Sequence, residues 1–342
     1  MNAKLRLGFV GHGVWGRRLL AAMRADARVG EVVIWDRDPT RLDSLPSEER
    51  ARSFEDLLER DLDCVAFALD PREQPMLAQR ALGAGFHVFL EKPLALDARS
   101  AALVRDAARA RGRVAFVGHV VRHHPVVRRA VELLEAGAIG VVRGAVMRRW
   151  GARERPGVPA WWVLAPHDLS VLDRVVGGAP AWLEKSGDGD DCRLRFRSGR
   201  GLRGELHVAG ARGPQRLSCW LGEQGVLVVD EKSSSLHRYA SPSVARSALE
   251  RLEAGWFDVE RFLDELSELS GEEFKIEGDA LSAEVTAFFD AICLGTPVET
   301  DVEEGYRVVR ALESGSDFGK TTSRIVSLKE STKSTPLTAK AT

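Results

Sequence analysis

The 342-residue sequence is poor in the features that mark secreted, membrane or nucleic-acid-binding proteins. Its four cysteines show neither zinc-ligand nor redox spacing and lie far apart, at Cys64, Cys192, Cys219 and Cys293. Lys and Arg total 49 against 50 Asp and Glu, so the net charge of −1 gives no broad basic field for nucleic acid or an anionic membrane. No apolar run is long enough to span a bilayer, and the N-terminus leads directly into a predicted strand. These absences predict a cytoplasmic protein without nucleic-acid or membrane partners.

The composition predicts a globular chain with enough apolar residues for a sizeable core. Hydrophobic residues make up 44% of the sequence and charged residues 29%. The length suggests two domains, and a change of pattern near residue 120 divides them into 1–120 and 121–328. The last stretch, 329–342, is mainly Ser, Thr, Lys and Ala without apolar periodicity, so we expect it to be disordered.

A glycine-rich turn near the N-terminus predicts a nucleotide site. An apolar strand precedes it, and a helix with one apolar face begins after it. In the pattern Gly-x-Gly-x-x-Gly the first glycine permits a tight turn, the second a close approach of the backbone to a pyrophosphate, and the third close packing of the helix. The helix N-terminus presents free N–H groups to the phosphates. We therefore predict cofactor contacts at Gly11, His12, Gly13, Val14, Trp15 and Gly16.

An acidic residue at the expected distance strengthens this prediction. Asp36 ends the next apolar run, twenty positions after Gly16. A carboxylate there accepts hydrogen bonds from the adenosine ribose and repels a 2′-phosphate, which favours NAD. Arg37 follows immediately and Arg41 soon after, and either could bind a phosphate if Asp36 turned away. NADP is therefore the second choice.

Strands and helices alternate through the first third of the chain, which predicts a doubly wound parallel sheet. Ligands of such sheets bind at the carboxyl ends of the strands, where the sequence places Leu69, Asp70, Lys92 and His119. After His119 the pattern changes, and a period of two from Cys192 onward predicts a large, mostly antiparallel open sheet. The predicted fold class is α/β, with a second domain of the α+β type.

Further motifs follow one another across nearly the whole chain. They are Ala84-Gly-Phe-His-Val-Phe-Leu-Glu-Lys-Pro93, Val117-Gly-His-Val-Val-Arg122-His-His-Pro125, Leu164-Ala-Pro-His167-Asp168 and Ile292-x-x-Gly295-x-Pro297. With the glycine turn, they resemble the Gfo/Idh/MocA oxidoreductases, which include glucose-fructose oxidoreductase and inositol dehydrogenase. The resemblance implies a Rossmann domain followed by an α+β domain. The broad second sheet suggests a homodimer or homotetramer.

The resemblance also implies a reaction. Family members oxidise or reduce a hydroxyl- or keto-bearing carbon, usually on a sugar, sugar nucleotide or cyclitol, with the nicotinamide of a bound dinucleotide. The lysine of Glu-Lys-Pro, here Lys92, points at the reacting oxygen, where an ammonium stabilises a developing alkoxide. The acid/base residue maps onto His167, which we expect to begin a helix, with Asp168 as its cap. Histidine exchanges protons near neutral pH. Leu69 and Glu91 join the predicted cofactor contacts.

Two predictions concern the junction between the domains. His119, Arg122, Trp162 and His167 are candidate substrate contacts, because they follow the first sheet or lie in the second-domain motif. A metal site is conceivable at three neighbouring histidines, His119, His123 and His124. However, Pro125 disfavours a helix across them, and the sequence has no carboxylate or cysteine clustered with them. We predict no metal.

The sequence departs from the family pattern in two places. Many members carry an aspartate four residues before the histidine, where this chain has Val163, and a histidine where it has Gln74. Without that carboxylate, Lys92 and His167 have one less negative neighbour. Two alternatives therefore stay open: an NADPH-dependent sugar ketoreductase, and a non-catalytic dinucleotide-binding sensor or partner protein. A tyrosine acid is disfavoured, because the only two tyrosines, Tyr239 and Tyr306, lie outside matching motifs.

Overall fold

The computed structural model describes residues 4–151, 157–178 and 180–318. These ranges contain a sheet of five strands and a sheet of eight. The predicted fold class, a parallel sheet followed by a larger and mostly antiparallel one, is confirmed. The predicted disordered tail, 329–342, lies outside the described residues.

The first sheet is parallel, with strand order β2-β1-β3-β4-β5. Its strands are β1 (Leu5–Val10), β2 (Val29–Trp35), β3 (Cys64–Phe67), β4 (His87–Glu91) and β5 (Ala115–Gly118). All four residues of β3 are buried, as expected for a strand covered on both faces. The strand order reverses between β1 and β3, which places a ligand crevice at their carboxyl ends.

Four helices connect these strands: α1 (Val14–Ala25), α2 (Phe54–Leu58), α3 (Gln74–Gly83) and α4 (Ala98–Arg111). Two of these helices begin with a side-chain N-cap. The Ser53 side chain accepts a hydrogen bond from the Asp56 N–H, and the Asp97 carboxylate accepts one from the Ser100 N–H. Short 3₁₀ turns lie at 39–42, 47–49 and 120–123.

The second sheet has the order β13-β12-β11-β10-β6-β9-β8-β7. Its strands are β6 (Val142–Trp150), β7 (Ala181–Gly187), β8 (Asp191–Arg197), β9 (Arg203–Ala209), β10 (Gln215–Gly222), β11 (Val226–Asp230), β12 (Ser235–Tyr239) and β13 (Glu272–Lys275). The pairing departs from antiparallel at one point, because β6 lies between β9 and β10 and pairs parallel with β9. Local periodicity gives no information about such an insertion.

Helices cover both faces of the second sheet. These are α5 (Pro125–Glu135) and α6 (Ala160–Val176) on one face, and α7 (Pro242–Ala254) and α8 (Val259–Ser267) on the other. The expectation that His167 begins a helix is wrong, because α6 starts at Ala160 and includes Pro166. Asp168 is therefore not a cap. It is buried in the helix, where it binds Arg149.

The last two helices return to the first sheet. They are α9 (Ala280–Cys293) and α10 (Val302–Asp317). Val285 and Phe288 of α9 share a core with Phe89 and Phe116 of β4 and β5. Strand β13 lies between α8 and α9 in the chain. The division into domains at residue 120 remains a prediction. No helix among the described residues combines the length and apolarity needed to cross a bilayer.

Candidate active site

The glycine turn has the geometry that a dinucleotide needs. Gly11 has φ +100°, and an added Cβ would lie 2.5 Å from the Ala68 carbonyl oxygen. A Cβ on Gly16 would lie 2.0 Å from the Gly11 carbonyl oxygen, so α1 packs directly on the turn. Around Gly13 the nearest heavy atom is the Arg41 Nη1 at 3.9 Å. Open space at Gly13 allows a pyrophosphate to approach the backbone, so these residues fit the cofactor.

The N-terminus of α1 is available to an anion. Its N-cap is Gly13, which provides no side-chain cap, and its first turn contains no acidic residue. Val14, at the start of the helix, is 83% exposed. The first N–H groups and the positive end of the helix dipole therefore face the position at which phosphates bind in this class of turn.

Asp36 is fixed beside the turn. Its carboxylate accepts hydrogen bonds from the His12 N–H (2.6 Å) and the Asp38 N–H (2.9 Å), and lies 3.5 Å from the Arg41 Nη1. Arg37 is exposed and forms an ion pair with Glu73. Of the two arginines, Arg41 is therefore the one that approaches both Asp36 and Gly13.

The remaining predicted cofactor residues line the same edge of the sheet. The Leu69 side chain lies against Gly11, 2.9 Å from an added Cβ. The indole N–H of Trp15 donates a hydrogen bond to the carboxylate of Glu91. This contact joins the start of α1 to the end of β4. The turn, Asp36, Leu69 and Glu91 thus form one continuous rim.

Lys92 is buried at this rim, 6% exposed, and its Nζ donates a hydrogen bond of 2.9 Å to the Val163 carbonyl oxygen. Gln74 fixes the main chain on either side of it. The Gln74 amide donates to the carbonyl oxygens of Glu91 (2.7 Å) and Leu94 (3.4 Å), and accepts from the Glu91 N–H (3.1 Å). Gln74 is fully buried. In the sequence, Gln74 was notable only because many family members have a histidine at this position.

His167 lies one turn of α6 after Val163, so the Lys92 ammonium contacts the same helical segment that carries His167. His167 is 5% exposed. The next residue, Asp168, forms a two-fold hydrogen bond with Arg149 at 2.8 and 2.9 Å, and Arg149 also pairs with Glu231. Burial raises the pKa of Asp168, and the Arg149 charge opposes that rise. This buried ion pair anchors α6 to the second sheet.

The candidate substrate residues occupy different environments. His119 is 1% exposed, neither ring nitrogen has a hydrogen-bond partner among the described residues, and burial lowers its pKa to about 3. Arg122 is buried and pairs with Glu304 at 3.1 Å. Trp162 is half-buried and packs against the cores of both sheets. Their roles in substrate binding remain predictions, and Arg122 already has a structural partner.

His123 packs against Phe116, with ring centroids 5.7 Å apart, and burial lowers its pKa to about 3. His124 precedes α5. In the described part of the chain no group of three His, Cys, Asp or Glu side chains is arranged to hold a metal ion.

Comparisons with known proteins agree with this geometry. Residues 5–119 match the model of an oxidoreductase family with an NAD-binding Rossmann fold. UDP-N-acetylglucosamine 3-dehydrogenase from Acidithiobacillus ferrooxidans is 25% identical over 319 residues, which cover 90% of this chain and 95% of that protein. A dTDP-3,4-didehydro-2,6-dideoxy-alpha-D-glucose 3-reductase from Actinomadura kijaniata is 34% identical over 146 residues, 41% of this chain and 43% of that protein. The second match thus spans less than half of either chain.

Solved structures show the same fold over nearly the full length. The A. ferrooxidans dehydrogenase superimposes with a TM-score of 0.73 at 23% identity, covering 91% of this chain and 96% of that one. A 3-ketoreductase from A. kijaniata, in complex with TDP-benzene and NADP, gives a TM-score of 0.74 at 20% identity, covering 91% and 98%. These structures share the fold of this chain, and its glycine turn lies within the segment that matches an NAD-binding oxidoreductase family. The N-terminal third of the chain, residues 5–119, thus matches the Gfo/Idh/MocA oxidoreductase family.

Proposed function

We propose that the protein transfers a hydride between NAD(P) and a hydroxyl- or keto-bearing carbon of a sugar, sugar nucleotide or cyclitol. The observation that carries this proposal is the position of Lys92. Its buried ammonium lies at the carboxyl end of the parallel sheet and contacts the segment of α6 that bears His167. A cation and a proton-exchanging imidazole at one site suit a carbon–oxygen bond that changes between alcohol and ketone.

The residues have distinct proposed roles. The glycine turn, α1 and Asp36 bind the dinucleotide, and its nicotinamide, when bound, supplies or accepts the hydride. Lys92 donates a hydrogen bond to the reacting oxygen, which stabilises negative charge on it. His167 takes the hydroxyl proton in oxidation and returns one in reduction. Gln74 holds the Glu91–Leu94 main chain, so that Lys92 remains in position.

NAD is the preferred cofactor in this proposal. Asp36 accepts two main-chain hydrogen bonds, which fix its carboxylate at the position expected for the ribose hydroxyls. NADP is the second choice, because Arg41 lies beside Asp36 and could bind a 2′-phosphate. Among substrates, sugar nucleotides are the first class to test, because the relatives that match 90% and 41% of this chain carry names of UDP- and dTDP-sugar enzymes.

The test is the change in nicotinamide absorbance with purified protein. NAD and NADP are offered with cyclitols, free sugars and UDP- and dTDP-sugars, and NADH and NADPH with the corresponding ketones. Turnover that is lost in Lys92→Met would support the proposal. Tight binding of NADH without turnover on any member of the panel would favour the second candidate, a non-catalytic dinucleotide-binding protein. The observation that favours this candidate is the valine at position 163, where many family members carry an aspartate.

We also propose a cytoplasmic location and a homodimer or homotetramer built through the second sheet. The face of that sheet beneath α7 and α8 is partly covered by this chain itself, so contact with another copy should involve the part of this face that the two helices leave exposed. Light scattering on the purified protein measures the mass of the assembly. A monomer at micromolar concentration would contradict the proposed assembly.

A further inference from the structure

Two cations that follow neighbouring strands of the first sheet bind main-chain oxygens of helix α6. Strands β4 and β5 are paired; Lys92 follows β4, and Arg122 lies in the 3₁₀ turn after β5. The Lys92 Nζ donates a hydrogen bond to the Val163 carbonyl oxygen at 2.9 Å. The Arg122 Nη1 donates one to the Ser170 carbonyl oxygen at 3.3 Å. His167 lies between these two contacts, on the same face of the helix, because it is four residues after one and three before the other.

Helix α6 is interrupted just before His167. Pro166 lies inside the helix and has no main-chain N–H, so the Trp162 carbonyl oxygen cannot accept the usual helical hydrogen bond. A proline in the interior of a helix also kinks or weakens it. The direction of the His167 side chain therefore depends on the contacts that hold α6 on either side of the proline.

Arg122 is also bound by an acidic residue of α10. Its Nη1 lies 3.1 Å from the Glu304 Oε1, and both side chains are only 3% exposed. The hydroxyl of Ser170, which is fully buried, donates a hydrogen bond to the same carboxylate oxygen. One carboxylate thus binds a guanidinium and a hydroxyl, while the guanidinium contacts the main chain of the helix that carries the hydroxyl. We call these three residues the Arg122–Glu304–Ser170 unit.

Glu304 is in turn fixed to the first sheet. The Asp301 carboxylate caps α10 and accepts a hydrogen bond from the Glu304 N–H at 2.9 Å. Just before this cap, the Thr300 carbonyl oxygen accepts a hydrogen bond from the Val117 N–H of β5 at 2.7 Å. The unit therefore connects the edge of the first sheet, where the cofactor is proposed to bind, with the helix that carries His167.

We propose that the Arg122–Glu304–Ser170 unit positions His167 for proton transfer, and that Arg122 is a positioning residue and not a substrate contact. This inference rests on the proposed function. Lys92 holds α6 before Pro166 and the unit holds it after, so the two anchors together fix the imidazole relative to the ammonium. Both groups can then reach one oxygen of the substrate. The near-complete burial of Arg122 and its two bonds from Nη1 fit this role better than a contact with a ligand.

Arg122→Met tests the unit by removing the cation and its contact with the Ser170 carbonyl oxygen. Without Arg122 the pKa of Glu304 rises further, so its carboxyl group stays neutral and no unpaired charge is buried. We expect kcat to fall at least about tenfold, because a small displacement of a reacting group is costly, with KM within about twofold of the wild type. Arg122→Lys retains the cation and should recover part of the rate.

Two further variants separate positioning from stability. Ser170→Ala removes one hydroxyl, leaves every charged group in place, and should lower kcat by about threefold. Arg307→Met is the matched control. It breaks the 2.8 Å ion pair between Arg307 of α10 and Asp173 of α6, which joins the same two helices six residues beyond His167. This control should leave kcat within about twofold of the wild type, although it also loses an ion pair.

A second measurement needs no turnover. In histidine-labelled protein the ring ¹³Cε1 signal of His167, assigned by its absence in His167→Asn, reports the surroundings of the imidazole. We expect this signal to move in Arg122→Met, to move less in Ser170→Ala, and to stay in place in Arg307→Met. If Arg122→Met does not fold, Ser170→Ala and Arg122→Lys provide the same comparison with the control.

Three results would overturn the proposal. They are an unchanged His167 signal in the variants of the unit, a raised KM with wild-type kcat in Arg122→Met, and changes of equal size in Arg307→Met. The second result would make Arg122 a substrate contact, and the third would assign the effect to helix packing in general. A wild-type protein without turnover would instead contradict the proposed function, while the His167 signal still decides whether the unit positions this side chain.

Discussion

The Lys92 Nζ lies 2.9 Å from the main-chain carbonyl oxygen of Val163, one helical turn before His167. The position at which many relatives carry an aspartate therefore contacts the lysine through its backbone. The side chain at 163 can change without loss of this hydrogen bond. The arrangement keeps the Lys92 ammonium on the segment of α6 that carries His167, although the aspartate side chain of the family pattern is missing.

Replacing Lys92 tests the central catalytic assignment. We expect Lys92→Met to lower kcat at least about 10³-fold, because the reacting oxygen loses its cationic hydrogen-bond donor. The glycine turn and Asp36 are unchanged, so NADH affinity should stay within about threefold. Absorbance assays and NADH fluorescence titration measure the two quantities. Wild-type turnover in the variant would contradict the role of Lys92.

An aspartate at position 163, as many family members have, should lower the stability of the protein and raise the titration midpoint of Lys92. Val163 is 3% exposed, so Val163→Asp buries a new carboxylate and should lower the free energy of unfolding by about 1–3 kcal/mol. The new negative charge should also shift upward the titration midpoint of Lys92, measured from its ¹³Cε signal in lysine-labelled protein. Val163→Asn, which is polar but uncharged, should cost similar stability without the upward shift. An upward shift of equal size in both variants would exclude the charge as the cause.

His167 is tested by the pH dependence of the rate. His167→Asn removes a group that can exchange a proton near neutral pH while keeping a polar side chain of moderate size. We expect kcat to fall about 10²-fold or more, with the greatest loss near pH 7. Cofactor binding should not change. A profile of the same shape as that of the wild type would assign the proton transfer to another residue.

We expect Asp36 to control the choice of cofactor. In Asp36→Ser the carboxylate that repels a 2′-phosphate is lost, while Arg41 remains 3.9 Å from an added Cβ on Gly13. The ratio of NADP to NAD affinity should rise at least about tenfold, as measured by fluorescence titration of the reduced cofactors. The second variant, Asp36→Ser with Arg41→Ala, should lose most of this gain. If it does not, Arg41 is not the phosphate-binding residue.

The Arg122–Glu304 pair predicts a pH dependence of stability. Burial raises the pKa of Glu304 from 4.5 to about 7, against the opposing charge of Arg122 and a hydrogen bond from Ser170. Between these two values the folded protein keeps a proton that the unfolded chain has lost, so this carboxyl group makes stability fall as pH rises from 4.5 to 7. The fall amounts to at most about 3 kcal/mol.

Glu304→Gln keeps a hydrogen-bond acceptor for Arg122 and Ser170 but cannot ionise. In urea melts at pH 5, 6 and 7, the difference in unfolding free energy between wild type and variant should move in favour of the variant as pH rises. A constant difference across this range would show that Glu304 does not titrate there.

Much of the site was predictable because its residues follow strands. Leu69, Asp36 and Lys92 each come at the end of an apolar run, and parallel strands bring those ends to one edge. Gln74 was noticed but not understood, because its three hydrogen bonds reach a segment seventeen or more residues away.

The sequence by itself determined the nucleotide-binding half of the molecule. Its strand–turn–helix unit and its caps depend on interactions between residues a few positions apart, and such interactions can be read from spacing. The tertiary structure alone decided the position of β6 within the second sheet, the start of α6 at Ala160, and the use of Arg122 in a buried ion pair. These features join residues distant in sequence, whose proximity depends on how whole sheets and helices pack.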